Sequence, residues 1–395
     1  MHKKLLALLL FVTAVSFAQT TIKGTLKDIS TNQPIELATI SADGTNIVTV
    51  SNSEGTFRIT VPQSVTQVTI SHLSYRDYTI KKEQFGQEDI FLEPSGIELE
   101  EVVVSNLTPQ QMLKQVVDKT KKRLEKSLLL NTYYREFIKV DGTYTKFSDG
   151  LLDFNVKNKS GKADVYVKQS RAVRLADAKS NTPESTEAID ALTMFEVDES
   201  IADGYNLKMA KRILASPVYT FEIKTRTGND GKSINIVKII PNPDYEGLLY
   251  EGTIIYDTAT ELILDVDVKT AESHKKYAKE INIKLFSLKF TVYDHQKKTS
   301  FKLDGDKYIM TYNRHLFDVK ITFRDDIDNT FLFMSDNLVM DYKEGEFDFD
   351  RSKRFKEKSL FKAGTNYTEE FWKTANAIPL TTEEESVIKN LETVK

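Results

Sequence analysis

What constrains this chain most is a pattern of alternating apolar and polar residues that keeps returning after Asn131. Tyr133-Tyr134-Arg135-Glu136-Phe137 opens it, Gly142-Thr143-Tyr144 follows a turn, and Leu152-Asp153-Phe154-Asn155-Val156 alternates. Further runs lie at Val218 to Thr225, Ile234 to Ile240, Gly252 to Tyr256, Leu262 to Lys269, Ile281 to Tyr293, Lys307 to Asn313 and Phe317 to Phe323. Period two sends successive side chains to opposite faces of a sheet. Tight turns such as Asn229-Asp230-Gly231 and Asp304-Gly305-Asp306 join the runs, which predicts an antiparallel meander. A large curved sheet or half-barrel is the economical architecture. The 17 Tyr and 22 Phe, against one Trp, suit pleated, half-buried surfaces, so the fold class is mainly β.

The opening segment has a different character. His2, Lys3 and Lys4 precede an apolar run from Leu5 to Phe17, and Ser16-Phe17-Ala18 places small residues where a signal peptidase reads. Residues 1–18 are therefore expected to be a signal peptide cleaved before Gln19. The run is 13 residues long, short of the roughly 20 that a membrane-spanning helix needs. The chain has no cysteine, which removes both lipidation at a lipobox and disulfides, and leaves core burial to hold the fold. Loss of Lys3 and Lys4, two positive charges, takes the formal charge from −4 to −6, spread over charges of both signs. Nothing in that balance asks for nucleic acid or an acidic lipid surface.

Residues 19–94 read as a small β-sandwich. Thr21 to Leu26 alternate, Ala38-Thr39-Ile40 resumes after a turn-rich stretch, and Phe57, Ile59 and Val61 share one strand face, with Val68 and Ile70 repeating the pattern. Four motifs in order resemble the carboxypeptidase-regulatory-like, transthyretin-like domain: Gly24-Thr25-Leu26-Lys27-Asp28, Gln33-Pro34-Ile35 with Ala38, Asn52-Ser53-Glu54-Gly55-Thr56-Phe57, and Ile70-Ser71-His72-Leu73-Ser74-Tyr75. Ser74 stands where that family usually has Gly. The resemblance implies an accessory module at the front of an exported protein of the Bacteroidetes type. It implies no peptidase activity, because zinc catalysis needs a His followed three residues later by Glu, with a distant His. Tyr75, Tyr277, Lys298 and Asp318 stand three residues after His72, His274, His295 and His315.

Residues 95–130 read as a linker strand, Glu98 to Val104, and an amphipathic helix. Thr108 caps that helix, Pro109 occupies its first position and Gln111 completes a capping box. Met112, Leu113, Val116, Val117 and Leu124 form its apolar stripe, and Lys114, Lys119, Lys121, Lys122 and Arg123 give it a basic, solvated side. Residues 131–395 form the β-rich domain, with a polar insertion at about 176–203 expected on the surface and a C-terminal helix capped by Thr382 and Glu385 and apolar at Val387, Ile388 and Leu391. Gly252-Thr253-Ile254-Ile255-Tyr256-Asp257-Thr258-Ala259-Thr260-Glu261-Leu262-Ile263-Leu264 resembles the strand-turn-strand signature of lipoprotein-carrier-like half-barrels, whose flanking strands line an apolar concavity. Tyr133-Tyr134-Arg135-Glu136 and Glu370-Phe371-Trp372-Lys373 with Ile378-Pro379-Leu380-Thr381 resemble a group of exported Bacteroidetes proteins that pair this sandwich with a β-rich domain.

No residue is assigned a catalytic, cofactor-binding or metal-binding role, and no cofactor is expected. A Gly-x-Ser-x-Gly elbow, a thiol and a glycine-rich phosphate loop are all absent. Asp304-Gly305-Asp306 and Asp325-Asp326-Ile327-Asp328-Asn329 lack calcium-loop spacing and read as a hairpin turn and an acidic loop. The expected function is a non-enzymatic cell-envelope protein, periplasmic, outer-membrane associated or secreted. Its β-rich domain would bind a protein partner, a lipid-like ligand or a glycan. The alternative is an envelope or polysaccharide hydrolase built on a carboxylate pair.

Overall fold

A computed structural model describes residues 19–45, 47–95, 98–99, 106–157, 163–175, 196–227, 232–284, 287–323, 327–366 and 377–392. The expected signal peptide, residues 176–195 of the polar insertion, the Asn229-Asp230-Gly231 turn and Trp372 lie outside the described residues. The chain divides into two compact units, Met1–Ser95 with Thr368–Thr381, and Gly96–Tyr367 with Thr382–Lys395. Residues 377–381, the described part of that second stretch, group with the sandwich.

In the first unit, β1 (Gln19–Asp28), β4 (Thr56–Pro62) and β7 (Asp89–Leu92) form one sheet in the order β4-β1-β7. The strands β2 (Thr39–Ala42), β3 (Val48–Val50), β5 (Gln67–His72) and β6 (Tyr75–Lys81) form another in the order β3-β2-β5-β6. Their inward residues, among them Ile22, Leu26, Ile40, Phe57, Ile59 and Ile70, make one apolar core. The recognised motifs are its joints. Asp28 Oδ1 accepts from the Ser30 and Thr31 amides at 2.7 and 2.8 Å, and the Tyr75 hydroxyl donates to Asp28 Oδ2 at 2.9 Å. Gly55 sits at φ +76°, and a Cβ there would come within 2.4 Å of the Leu26 carbonyl oxygen, so only glycine fits the turn. Asn52 Oδ1 accepts from the Glu54 and Thr56 amides while its Nδ2 donates to the Leu380 and Pro379 carbonyls. The Ala377–Leu380 stretch is tied to the sandwich in this way.

The second unit is built on one antiparallel sheet. Its strands are β8 (Glu98–Leu99), β9 (Leu128–Val140), β10 (Thr143–Val156), β11 (Ala163–Arg174), β12 (Tyr219–Thr227), β13 (Ser233–Pro241), β14 (Tyr250–Asp257), β15 (Ile263–Thr270), β16 (Ile281–Ile283), β17 (Leu288–Asp304), β18 (Lys307–Phe323) and β19 (Ile327–Glu344). The order is β11-β10-β9-β19-β18-β17-β15-β14-β13-β12-β8, with β16 beside β17. Among the described residues, four helices accompany it: α1 (Pro109–Arg123), α2 (Ala202–Asn206), α3 (Lys208–Leu214) and α4 (Thr382–Glu392). Thr108 and Gln111 form the expected capping box on α1. Laid flat, the strands from β11 to β12 would span about 43 Å at roughly 4.8 Å each. Side chains from nearly all of them nevertheless meet those of α1, α2 and α3 in one core, so the sheet wraps around its helices.

Several expectations change here. The helix at 109–123 is no linker: Leu113, Val116 and Val117 are core residues, and the Thr120 hydroxyl accepts from the Ile263 amide at 3.1 Å. The end of the supposed surface insertion is also core, because Val197, Ile201 and Tyr205 recur every four residues and are fully buried. The run Ile281 to Tyr293 is two strands, reversed at Ser287 (φ +51°). The runs at Lys307 and Phe317 are one strand, since Arg314 and His315 stay in register with β17 and β19. Ile327 to Asn329, read as loop, starts β19, and Asp328 accepts from Thr322 at 2.9 Å and pairs with Lys320 at 3.1 Å.

The face away from α1, α2 and α3 carries a row of residues in direct cross-strand register: Arg171, Asp149, Arg135, Asp336, Arg314, Lys298, Asp267, Thr253, Lys238 and Glu222. The row is mostly charged, and opposite signs sit side by side over much of it, the arrangement that stabilises facing strand pairs. Arg171 holds Asp149 at 2.7 Å, Arg135 and Arg314 hold Asp336 at 2.7 and 2.8 Å, and Lys298 holds Asp267 at 2.8 Å. Glu384 of α4 comes within 3.5 Å of Arg135.

Candidate functional site

The half-barrel signature predicts an apolar concavity beside β14 and β15. The turn is as expected, with Asp257 Oδ1 accepting from the Thr260 amide and hydroxyl at 2.7 and 2.6 Å. The hollow beside it is filled, however: Ile254, Tyr256 and Ile263 pack in the same core as α1, and Lys119 of α1 pairs with Glu261 at 2.7 Å. A second apolar cluster lies on the same sheet face, on β9, β17, β18 and β19.

There the register stacks four rows: Ile327-Phe323-Leu288, Asn329-Ile321-Phe290, Val140-Phe331-Val319-Val292 and Ile138-Phe333-Phe317-His295. Their apolar members form a cluster of their own, separate from the main core. Val319, Ile321, Ile327, Phe331 and Phe333 are buried, while Leu288, Phe290, Val292, Phe317 and Phe323 are partly buried around them. Because strand side chains alternate, every one of these points to the same side as the helices. The five phenylalanines make an aromatic floor, with Phe331 and Phe333 stacked at 5.8 Å.

A polar band borders the floor, in the rows Glu136-Ser335-His315-Lys297 and Tyr134-Asn337-Asn313-Thr299. The two regions meet where His295 stands edge-on to Phe317 at 5.3 Å. Tyr250 Oη lies 3.0 Å from His295 Nδ1, and the Arg212 guanidinium lies 5.6 Å from the Tyr250 ring centroid. Lys297 contacts Asp203, which also pairs with Lys208 at 2.9 Å and lies 3.8 Å from His315. Next to this pair is a pocket with room for about one water, lined by Asp203, Gly204, Leu207, Lys297, Thr299 and Asn313, among others. Helix α2 can sit this close because residue 204 is glycine: a Cβ there would meet the Met310 sulfur at 2.8 Å.

Burial pulls the Lys297 ammonium down to about 8, and the carboxylate of Asp203 beside it pulls the other way. Burial, followed by the field of Arg212, pushes His295 down to about 4. His315 lies well below its ordinary value, through burial first and then Lys297, His295 and Lys208. Both histidines are therefore neutral at neutral pH, and the band's positive charge rests on lysine and arginine.

The sequence drew attention to His295 and His315 only as failed zinc ligands, and among the described residues no cluster of metal-ligating side chains occurs. It missed Phe331 and Phe333, which sit in the unbroken apolar run Phe331-Leu332-Phe333-Met334 and so lack the apolar-polar alternation that marks the other strands. The hydrolase reading asks for a carboxylate pair. The pairing Asp294 and Asp318 is in direct register, and repulsion from Asp294 adds to burial in raising Asp318. That pair lies on the opposite face of the sheet, beside Lys275, which is 3.2 Å from Asp294.

Residues 22–104 match the family model of the CarboxypepD_reg-like domain, a stretch that reaches beyond the sandwich motifs. No curated protein matches. Among solved structures, a LolA superfamily protein from Nitrosomonas europaea aligns over 63% of this chain and 98% of its own, with 10% identity and a TM-score of 0.22, which is too distant to carry an argument. No helix among the described residues is long and apolar enough to cross a membrane.

Proposed function

We propose that this is a non-enzymatic, exported cell-envelope protein of the Bacteroidetes kind whose β-rich unit binds a lipid-like amphiphile, with the CarboxypepD_reg-like sandwich as its accessory module. One observation carries the reading: a cluster of five phenylalanines and their aliphatic neighbours on a single sheet face, separate from the core around α1, α2 and α3 and partly exposed at Leu288, Phe290, Val292, Phe317 and Phe323. Ligand sites are typically apolar with a few placed polar groups, and the polar band supplies those at one end. A glycan fits this floor poorly, because Asn329 is the one side chain with a hydrogen-bonding amide in its three lowest rows.

The full chain purified from the envelope fraction should release a long-chain amphiphile on solvent extraction, and native mass spectrometry should show the corresponding added mass. Phe317→Glu places a charge on the partly buried rim and should weaken binding of a long-chain fluorescent probe about tenfold, one decade per 1.4 kcal/mol. A protein that carries nothing and binds no such probe would refute the proposal.

A further inference from the structure

The polar band is not electrically neutral. Lys297, Lys208 and Arg212 lie at its edge; the two lysines share the carboxylate of Asp203, and Arg212 stands over Tyr250. Among the described residues, Glu136 and Asp294 lie near and are held by other partners. Glu136, in the same row as His315, accepts from Ser148 at 2.7 Å, from the Phe361 amide at 3.0 Å and from Tyr134 at 3.1 Å, and also contacts Ser359. Asp294 faces the other side of the sheet and pairs with Lys275. The histidines add no positive charge at neutral pH, because burial first and the neighbouring cations second hold both below their ordinary value.

Geometry places this excess of positive charge at the end of the aromatic floor. Lys297 follows His295 by two residues on β17, hence on the same face, and His295 touches the floor through Phe317. Arg212 is exposed on α3 above Tyr250, and Lys208 is more than half exposed. The adjoining pocket holds about one water, so a charged group would sit at its mouth beside these side chains.

We infer that the amphiphile carries an anionic head group, a phosphate or a carboxylate, seated against Lys297, Arg212 and Lys208 with its chain along the phenylalanine floor. This rests on the binding function proposed above. Charge-assisted hydrogen bonds at the edge of a partly desolvated site favour an anion over an uncharged polar group of the same size.

Displacement of a fluorescent probe from the full chain tests it, with dodecyl phosphate, dodecanoate and dodecanol as matched ligands and inorganic phosphate alone as the control. The two anionic amphiphiles should bind about tenfold more tightly than the alcohol, and inorganic phosphate should not compete. Arg212→Gln, an exposed substitution that leaves the core intact, should cut the preference to about threefold, and Lys297→Gln with Arg212→Gln should abolish it. Equal binding of all three amphiphiles, or a preference that survives in both variants, would overturn the inference and leave the hydrophobic site standing. Tight binding of inorganic phosphate by itself would mean a free-anion site, which overturns it as well. If no amphiphile binds at all, both the head-group inference and the function beneath it fall.

Discussion

Asp336 has no solvent exposure, yet it stays ionised. Burial by itself would raise its carboxyl, but Arg314, Arg135 and the Tyr312 hydroxyl outweigh that and hold it well below 3.8. A folded value below the unfolded one stabilises the fold fully above the unfolded value, and that contribution fades as pH falls through the folded value. Asp149, two strands along the row, has the opposite sign: burial raises it despite Arg171 and Tyr133, so its contribution is lost as pH rises through its folded value. The two acids partly offset each other, and the clean measurement is a difference. The stability of the native chain in urea should fall steadily below about pH 4, whereas Asp336→Asn should show a clearly shallower acid limb, the remainder coming from other lowered carboxyls such as Asp28. At neutral pH the variant should be less stable by about 3–5 kcal/mol, because two arginines lose a buried partner. Equal acid limbs in both proteins would show that Asp336 is not the responsible group.

Among the elements, the short Ala377–Leu380 stretch depends most visibly on one side chain. Asn52 accepts from the Glu54 and Thr56 amides at 3.0 and 2.9 Å and donates to the Leu380 carbonyl at 3.1 Å. Asn52→Ala should cost about 1–3 kcal/mol through buried groups left unpaired. It should also make the chain near Leu380 a fast site of limited proteolysis, and unchanged cleavage would contradict the anchoring role. That joint shows what local pattern can and cannot reveal: the turn formed by Asn52 and Gly55 is legible, but its partner Leu380, 328 residues away, is not. The same holds for β19, whose Ser335, Asp336, Asn337 and Asp341 obscure its alternation. Its polar residues make sense only against Arg135 and Arg314 on neighbouring strands. The stripe on α1 is plain in the sequence, but nothing local says that it meets β15. At the candidate site, Phe317 to Phe323 is readable as a strand, while Lys297 and Asp203, 94 positions apart, carry no mutual signal.

At the scale of the β-rich unit, the sheet is two meanders, β9 to β11 and β12 to β19, joined along β9 and β19. That seam brings Arg135 to Asp336 across 201 positions. Side chains alternate, so a slip of one residue along it would exchange the faces of β19. Phe331 and Phe333 would leave the floor and Asp336 would turn into the polar band beside it. In register, the buried ion pair and the aromatic floor are satisfied together, which gives the seam a single good alignment. Joining distant segments also costs more loop entropy than closing a hairpin, and non-local pairings form slowly. During refolding, the amides of the β17–β18 hairpin, closed by Gly305 at φ +60°, should gain protection before those of β9 and β19. Pulse-labelled hydrogen exchange reads this order directly. If the β9–β19 amides were protected as early as the hairpin, the meanders would not be preformed pieces joined at a late seam.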